Sequence, residues 1–304
     1  MSRAALYDTT GGPEVLYLGE VPDPAPGAGE VAVRVRAAGL NPFDAKMRGG
    51  FFPNGAPFPR RIGGDVAGTV ESVGDGASYW DGSPVAVGDE VLGRASGAVA
   101  ERAIAQASDL TRRPDAVAVE VAGGLNVAGL TAVSVLATAP VSAEDTVLVG
   151  GAAGGVGLVA AQLAVAAGAR VIGTASARNH ELLRSVGVEP IAYGDALAER
   201  VAALGAVTTV YDCHGREALD AGVALGVPRE RIVAIAGYAA VDELGVVNAE
   251  REARTARNLA ALAQRIAEGA LVFPVAATFP LDEVAAAFAE LEGPHAPGKI
   301  VVLP

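Results

Sequence analysis

Residues 146–164 read TVLVGGAAGGVGLVAAQLA and carry the strongest structural signal in the chain. An apolar run of strand length leads into a cluster of glycines, and an apolar run of helix length follows directly. Clustered glycines destabilise a helix by about 1 kcal/mol each, so we interpret the uncharged segment 147–169 as a buried strand, a tight turn and a buried helix. A membrane span, which the length alone permits, is the disfavoured alternative.

Within this stretch, Ala152, Gly154 and Gly157 have the spacing of a dinucleotide-binding fingerprint, with alanine in place of the first glycine. Such a turn brings the backbone close to a pyrophosphate, and the helix that follows offers its free N–H groups. We therefore expect a pyrophosphate to bind at Ala153, Gly154, Gly155, Val156 and Gly157. A structural turn without a ligand and the glycine turn of a methyltransferase fold are the alternatives.

The end of the next predicted strand distinguishes between nucleotides. NAD enzymes and methyltransferases usually carry an acid there, which holds the ribose hydroxyls. Here the sequence is GTASARNHE (173–181), with Ser176 and Arg178 where the acid is expected. An arginine binds a 2′-phosphate through charge-assisted hydrogen bonds, whereas a carboxylate repels it. The pattern favours NADPH over NADH; alternatively, Arg178 is an exposed residue at the start of a helix.

Composition restricts the class of protein. The chain has 304 residues, 51% of them hydrophobic, which suits two folded domains. Its net charge of −12 argues against nucleic-acid or membrane partners. Cys213 is the only cysteine, so an intrachain disulfide and a thiolate zinc site are excluded. The N-terminal MSRAALYDTT lacks the apolar stretch of a signal peptide, and we expect a cytoplasmic location.

The hydrophobic pattern changes near residue 122. Before it, alternating runs such as EVAVRVRAA (30–38) and GDVAGTVESVG (64–74) are typical of half-buried strands, and frequent Gly and Pro indicate a compact β-barrel. After it, strand-length and helix-length runs alternate, which predicts βαβ units and a parallel sheet. The predicted strands and helices include 86–93, 97–105, 146–151, 156–168, 169–175, 181–187, 190–193, 208–213, 231–237, 250–269, 281–293 and 298–304.

The chain as a whole resembles the medium-chain dehydrogenase/reductase superfamily, and within it the zinc-free NADPH:quinone oxidoreductase (zeta-crystallin-like) branch. The resemblance rests on GGPEVL (11–16), GLNPFDAKMRGG (39–50), IGGDVAGTVESVG (62–74), AVGDEVLG (86–93), VAGLTAVSVL (127–136), GAAGGVG (151–157) and GKIVVL (298–303). It implies an α/β fold with a GroES-like β-barrel catalytic domain and a Rossmann domain with a doubly wound parallel sheet. Together with the change of hydrophobic pattern near residue 122, the resemblance places the catalytic domain at 1–122, completed by 271–304, and the NADP(H)-binding domain at 123–270.

The resemblance also implies that no metal is used. Zinc-dependent relatives have a cysteine where Asn41 stands and a Gly-His-Glu sequence where this chain has Gly63, Gly64 and Asp65. The four-cysteine structural zinc lobe of those relatives is absent as well. Hydride transfer from NADPH to an acceptor that is already electron-poor, such as a quinone, an enone or an enoyl thioester, needs no Lewis acid.

We therefore predict a zinc-independent, NADPH-dependent reductase of a quinone or an activated C=C bond. A pathway-specific reductase of enoyl thioesters or of a polyketide-like product is one alternative. An alternative of another class is a non-catalytic NADPH-binding sensor or structural protein. The relatives pair through the exposed edge of the Rossmann sheet, which implies a homodimer.

Lys46 is the main catalytic candidate, and it is one of only two lysines among 23 lysine and arginine residues. In similar enone reductases with an NPxDxK pattern, this lysine points to the substrate carbonyl and the cofactor ribose. A compact ammonium there can stabilise enolate charge or donate a proton. Alternatively, Lys46 is a surface lysine after a loop.

The resemblance implies roles for further residues. Asn41, a second catalytic candidate, and Thr131 are expected near the nicotinamide, although Thr131 is alternatively a helix residue that bonds its own backbone. The other expected cofactor contacts are Tyr193 at the adenosine end, Ala236 and Gly237 at the nicotinamide, and Lys299. Asp44 is expected to brace the loop, and Phe51, Phe52 and Phe58 to line the substrate cleft or to pack in the core.

Overall fold

The computed structural model describes residues 1–52, 55–293 and 297–304. The chain separates into two compact units. The first unit comprises Met1–Val127, Thr255–Ala270 and Pro274–Pro304, and the second comprises Ala128–Arg254 and Leu271–Phe273.

Three positions differ from the predicted domain boundaries, and one of them is Leu271–Phe273, which groups with the second unit. The first junction follows Val127 rather than residue 122, and Thr255–Ala270 groups with the first unit although the sequence placed it with the nucleotide-binding domain. The reason is local packing, because helix Ala256–Ala267 contacts strand Leu110–Arg112 of the first unit.

The described residues form nine α-helices and sixteen strands. The helices are α1 Pro42–Arg48, α2 Val119–Thr138, α3 Gly155–Ala166, α4 His180–Ser185, α5 Leu197–Ala202, α6 Arg216–Ala224, α7 Val241–Leu244, α8 Ala256–Ala267 and α9 Val284–Glu292. The strands are β1 Ser2–Tyr7, β2 Tyr17–Val21, β3 Glu30–Gly39, β4 Arg60–Arg61, β5 Asp65–Val73, β6 Glu90–Arg94, β7 Arg102–Gln106, β8 Leu110–Arg112, β9 Thr146–Gly150, β10 Arg170–Thr174, β11 Glu189–Ile191, β12 Thr209–Asp212, β13 Ile232–Ala234, β14 Val247–Asn248, β15 Val275–Pro280 and β16 Lys299–Leu303.

The first unit is built around the long strand β3. Its valines at 31, 33 and 35 are buried while Arg34 and Arg36 are exposed, as the alternating pattern predicts. β3 lies in a seven-stranded sheet with the order β15-β16-β3-β5-β6-β8, and β7 also pairs with β3. Because β16 pairs antiparallel with β3, the C-terminal strand completes this sheet. A smaller sheet has the order β2-β1-β4.

The second unit contains a six-stranded sheet with the order β11-β10-β9-β12-β13-β14, and all of its pairs are parallel. This is the doubly wound order, which reverses between β9 and β12. Val147, Leu148 and Val149 are all fully buried, as expected for a strand covered on both faces. The predicted parallel, doubly wound sheet is therefore confirmed.

Several predicted elements are shorter than the sequence suggested. The strands predicted at 86–93 and 97–105 begin only at Glu90 and Arg102. The helix predicted at 250–269 begins at Ala256, because the Thr255 hydroxyl caps it by accepting the Asn258 N–H.

Helix α2 is uniformly apolar rather than amphipathic. Among the described residues it is the one helix whose length and composition would allow it to cross a membrane. Inside the protein, 67% of the apolar stretch of this helix is buried, which is typical of a helix in a protein core.

Candidate active site

The glycine turn of the second unit connects β9 to α3. Gly151 has a φ of +68°, in the left-handed region that favours glycine, and a Cβ there would lie 2.7 Å from the His214 Cβ. Ala152, at the first fingerprint position, is fully buried, and its N–H donates to the Thr174 carbonyl at 2.9 Å. The strained position of the turn is therefore Gly151, which explains why alanine is accepted at position 152.

The start of α3 offers groups that fit a pyrophosphate. Gly154 is the exposed N-cap residue, and no side chain caps the helix. The N–H groups of the first helical turn, at Gly155, Val156 and Gly157, have no acceptor within the helix. A Cβ on Gly157 would collide with the Gly151 carbonyl oxygen, so glycine lets the helix approach the turn closely. This cradle suits an anion that accepts backbone N–H groups.

The residues predicted to bind the 2′-phosphate and the adenosine end of the cofactor follow two neighbouring strands. Ser176 and Arg178 come just after β10, and Arg178 is exposed. Tyr193 follows β11 by two residues and is 56% exposed. The Ala175 N–H donates to the Ile191 carbonyl at 3.0 Å, which holds the two strand ends side by side. These three side chains therefore lie at the same edge of the sheet.

Ala236 and Gly237 follow β13, but their N–H groups are already occupied. Both donate to Oδ2 of Asp212, at 3.2 and 2.8 Å respectively. Asp212 is fully buried and was not singled out from the sequence. The only local signal is a polar residue at the end of a buried strand, in TTVYDC (208–213).

In the first unit, Asn41 and Lys299 belong to a buried polar network. Nζ of Lys299 donates to the Leu40 carbonyl and to Oδ1 of Asn41, both at 2.6 Å, and lies 3.6 Å from Oδ2 of Asp65. Nδ2 of Asn41 donates to the same Asp65 oxygen at 3.0 Å. Lys299 and Asn41 are 5% and 4% exposed, and Asp65 is fully buried. The polar atoms of these three side chains are thus paired with one another.

Three further residues complete this network. The second Asp65 oxygen accepts Nδ2 of Asn126 at 3.1 Å and the Val127 N–H at 2.9 Å. The Asp44 carboxylate accepts the Asn41 N–H at 2.9 Å and so braces the first turn of α1.

Burial changes the titration of the network. It raises the pKa of the Asp44 carboxyl to about 7, and the nearby negative charge of Asp65 adds to this effect. Burial also raises the pKa of Asp65 and lowers that of Lys299, while the attraction between the two opposes both changes. A single ammonium therefore compensates two buried carboxyl groups, one of which titrates near neutral pH.

Lys46 lies on α1 beside an aromatic cluster formed by the exposed Phe43 and Phe51 and the half-buried Phe52. Its Nζ is 5.8 Å from the centre of the Phe51 ring. The ring centres of Phe51 and Phe52 are 4.8 Å apart and those of Phe43 and Phe52 are 5.5 Å apart. Phe58 lies elsewhere, edge-on to Tyr7. The structure thus brings two of the three predicted phenylalanines together near Lys46.

Thr131 lies on α2 and is 7% exposed. Ser134 and Thr138 bond carbonyl groups of the preceding helical turn. Within the described part of the chain, the Thr131 hydroxyl has no such partner. The alternative role, in which Thr131 bonds its own backbone, is therefore not observed.

Asn41 and Asp65 stand at the positions where the resemblance places zinc ligands in the zinc-dependent relatives. Asn41 and Asp65 are both paired with the Lys299 ammonium, which supplies the positive charge there. In the ranges that the structure describes, no group of three or more His, Cys, Asp and Glu side chains could hold a metal.

Comparison with known proteins places these features in a family. The chain matches the alcohol dehydrogenase GroES-like domain over residues 27–115 and the zinc-binding dehydrogenase family over residues 187–302. The quinone oxidoreductase of Pseudomonas aeruginosa is 32% identical over 332 aligned positions, which cover 100% of both chains. That of Rattus norvegicus is 37% identical over 60% of this chain and 55% of its own length.

Solved structures of similar proteins agree with these matches. The structure of mycobacterial Rv1454c complexed with NADPH superposes with a TM-score of 0.87 at 33% identity, with 100% of both chains covered. These matches confirm the predicted fold, a GroES-like domain with a Rossmann domain. The chain therefore belongs to the medium-chain dehydrogenase/reductase superfamily, among its quinone oxidoreductases.

Proposed function

We propose that this chain is a zinc-independent, NADPH-dependent oxidoreductase that transfers hydride to a quinone or another activated C=C acceptor. Relatives along its length are named quinone oxidoreductases, and the mycobacterial relative is complexed with NADPH. The observation that carries the proposal is the open glycine cradle at the start of α3, followed at the end of β10 by Ser176 and Arg178 in place of an acid.

The residues of the second unit fit this cofactor. The N–H groups of Gly155, Val156 and Gly157 hold the pyrophosphate, and the positive end of the α3 dipole favours its charge. Arg178 binds the 2′-phosphate, with Ser176 as a further hydrogen-bond partner. When bound, NADPH supplies the hydride.

The acceptor needs a group that stabilises the charge created by hydride addition. Negative charge develops on its carbonyl oxygen, and the Lys46 ammonium can donate a hydrogen bond to that oxygen. The Phe43/Phe51/Phe52 cluster beside Lys46, in which Phe43 and Phe51 are exposed, offers aromatic faces for stacking a flat conjugated ring. A quinone satisfies both features. Asn41 and Lys299 serve this arrangement by fixing the start of α1, which carries Lys46.

The donor set supports zinc independence. A metal at Asn41 and Asp65 would have to displace the Lys299 ammonium from its 3.6 Å separation from Asp65. Neutral amide and ammonium groups are poor ligands for zinc. The electron-poor acceptor needs no Lewis acid for its reduction.

We further propose a cytoplasmic homodimer that acts on small molecules, with neither nucleic acid nor membrane as a partner. The net charge of −12 supports the last point. The terminal strand β14 of the parallel sheet is a candidate for pairing between subunits. Light scattering on the purified protein measures the subunit number.

The decisive assay follows NADPH oxidation by absorbance with a panel of quinones, enones and enoyl thioesters. We expect turnover with quinones, at a rate that a metal chelator leaves unchanged. Restoration of activity by added zinc after chelation would contradict zinc independence. NADPH binding without oxidation by any acceptor would favour the non-catalytic sensor.

A further inference from the structure

One buried carboxylate joins two loops of the second unit. Asp212 is the last residue of β12 and is fully buried. Its Oδ1 accepts the N–H groups of His214 at 2.9 Å and Gly215 at 2.6 Å. Its Oδ2 accepts those of Ala236 and Gly237 in the loop after β13. A single side chain thus fixes the loops 213–215 and 235–237 to each other.

A carboxylate is the group that suits this position. Its two oxygens only accept hydrogen bonds and match four N–H donors, whereas the amide of an asparagine would turn an NH₂ donor toward one loop. Helix α6 begins directly after Gly215, so its positive N-terminal end also faces the charge. The four donors and this helix end stabilise a buried negative charge that would otherwise be costly.

The two loops follow strands on one side of the point where the strand order reverses. In a doubly wound sheet a dinucleotide lies across this point, with one mononucleotide half on each side. The predicted 2′-phosphate residues Ser176 and Arg178 follow β10 on one side, and the loops held by Asp212 follow β12 and β13 on the other. The loop 213–215 also touches the glycine turn, where a Cβ on Gly151 would lie 2.7 Å from the His214 Cβ.

We propose that Asp212 is a positioning residue for the nicotinamide half of the dinucleotide. It holds the loops 213–215 and 235–237 in the arrangement that receives this half. The inference rests on the proposed function, because it takes NADPH as the dinucleotide. Asp212 acts through the loops, since its own oxygens are occupied by backbone N–H groups.

The test compares two ligands in the variant Asp212→Asn. NADPH carries both halves of the dinucleotide, whereas 2′,5′-ADP carries the adenosine and the 2′-phosphate alone. By calorimetric titration we expect 2′,5′-ADP to bind within about twofold of wild type and NADPH to bind at least about tenfold more weakly. The matched control is Asp220→Asn, which removes an exposed carboxylate paired with Arg216 on α6 and should change neither affinity.

Equal weakening of both ligands, or no change in either, overturns the positioning role. Wild-type protein that binds neither ligand would overturn the proposed function itself, which is a distinct result.

A second measurement needs no variant and covers the case in which Asp212→Asn fails to fold. Amide hydrogen exchange on the unliganded wild type should show strong protection at His214, Gly215, Ala236 and Gly237. Unprotected amides at these four positions would overturn the proposal.

Discussion

The substitution Lys299→Met tests whether one ammonium compensates two buried carboxyl groups. Methionine keeps an unbranched apolar stem of similar length but removes the charge and its hydrogen bonds. The Leu40 carbonyl and Oδ1 of Asn41 each lose a donor at 2.6 Å, and Asp65 loses the cation 3.6 Å away. The other contacts of the Asp65 carboxylate, from Asn41, Asn126 and the Val127 backbone, remain.

The size of the stability loss expected for Lys299→Met follows from the burial of this network. Removing one partner of a buried ion pair costs about 3–5 kcal/mol, because the other charge stays buried without compensation. Lys299 is 5% exposed and Asp65 fully buried, so this range applies with little solvent screening. We expect the free energy of unfolding to fall by about that amount at a pH above the Asp44 pKa of about 7.

The assay is urea unfolding followed by circular dichroism at two pH values. Because burial raises the carboxyl pKa values of Asp44 and Asp65, more of this pair is neutral at lower pH. The loss of unfolding free energy caused by Lys299→Met should therefore be smaller at about two pH units below neutrality. The control Lys46→Met makes the same chemical change at a half-buried position and should cost less than about 1 kcal/mol.

A double-mutant cycle with Asp65→Asn measures the coupling directly. The double variant should be more stable than the sum of the single losses predicts, by about 1–3 kcal/mol. If the loss from Lys299→Met is the same at both pH values and the coupling is zero, the ammonium does not compensate these carboxyl groups.

Three further predictions concern catalysis, cofactor choice and pH. Lys46→Ala should lower kcat/KM by the equivalent of about 1–3 kcal/mol, because a charged hydrogen bond to the acceptor oxygen is lost; unchanged steady-state kinetics would refute the role. Arg178→Ala should weaken NADPH binding far more than NADH binding in fluorescence titrations, since only NADPH carries the 2′-phosphate; equal losses would show that the site is elsewhere. The Asp44 pKa rises from 3.8 to about 7 on folding, so its charge destabilises the folded state increasingly as pH rises between these values, by up to about 4 kcal/mol. Asp44→Asn should remove this pH dependence from urea unfolding, and a difference from wild type that stays constant with pH would contradict it.

The sequence predicted those parts of the fold that local patterns encode. The alternation of β3 and the strand–turn–helix of residues 146–164 are recognisable because each element carries its own period. Helix α2 has no such signal, since it is apolar on all sides and contains Gly123 and Gly124. A Cβ on Gly123 would lie 2.6 Å from the Ala37 Cβ, so these glycines serve close packing against β3 rather than a turn.

The candidate site likewise contains parts that local sequence patterns predict and parts that they do not. The glycine cradle could be predicted because its residues are consecutive. The Lys299 network could not be derived from local patterns, because Lys299 and Asn41 are 258 positions apart and meet only through strand pairing. Asp212 was missed for a related reason, since its four partners lie in two loops and contribute only backbone N–H groups.

The pairing of β16 with β3 affects the order in which the chain can fold during synthesis. β3 leaves the ribosome early, but its neighbour at Lys299–Leu303 is made only after the whole second unit, whose last residue is Phe273. The strands of the parallel sheet, from β9 to β14, are complete before then. The second unit can therefore form during translation, whereas the first must wait with an open strand edge, a state in which nascent chains are exposed to aggregation.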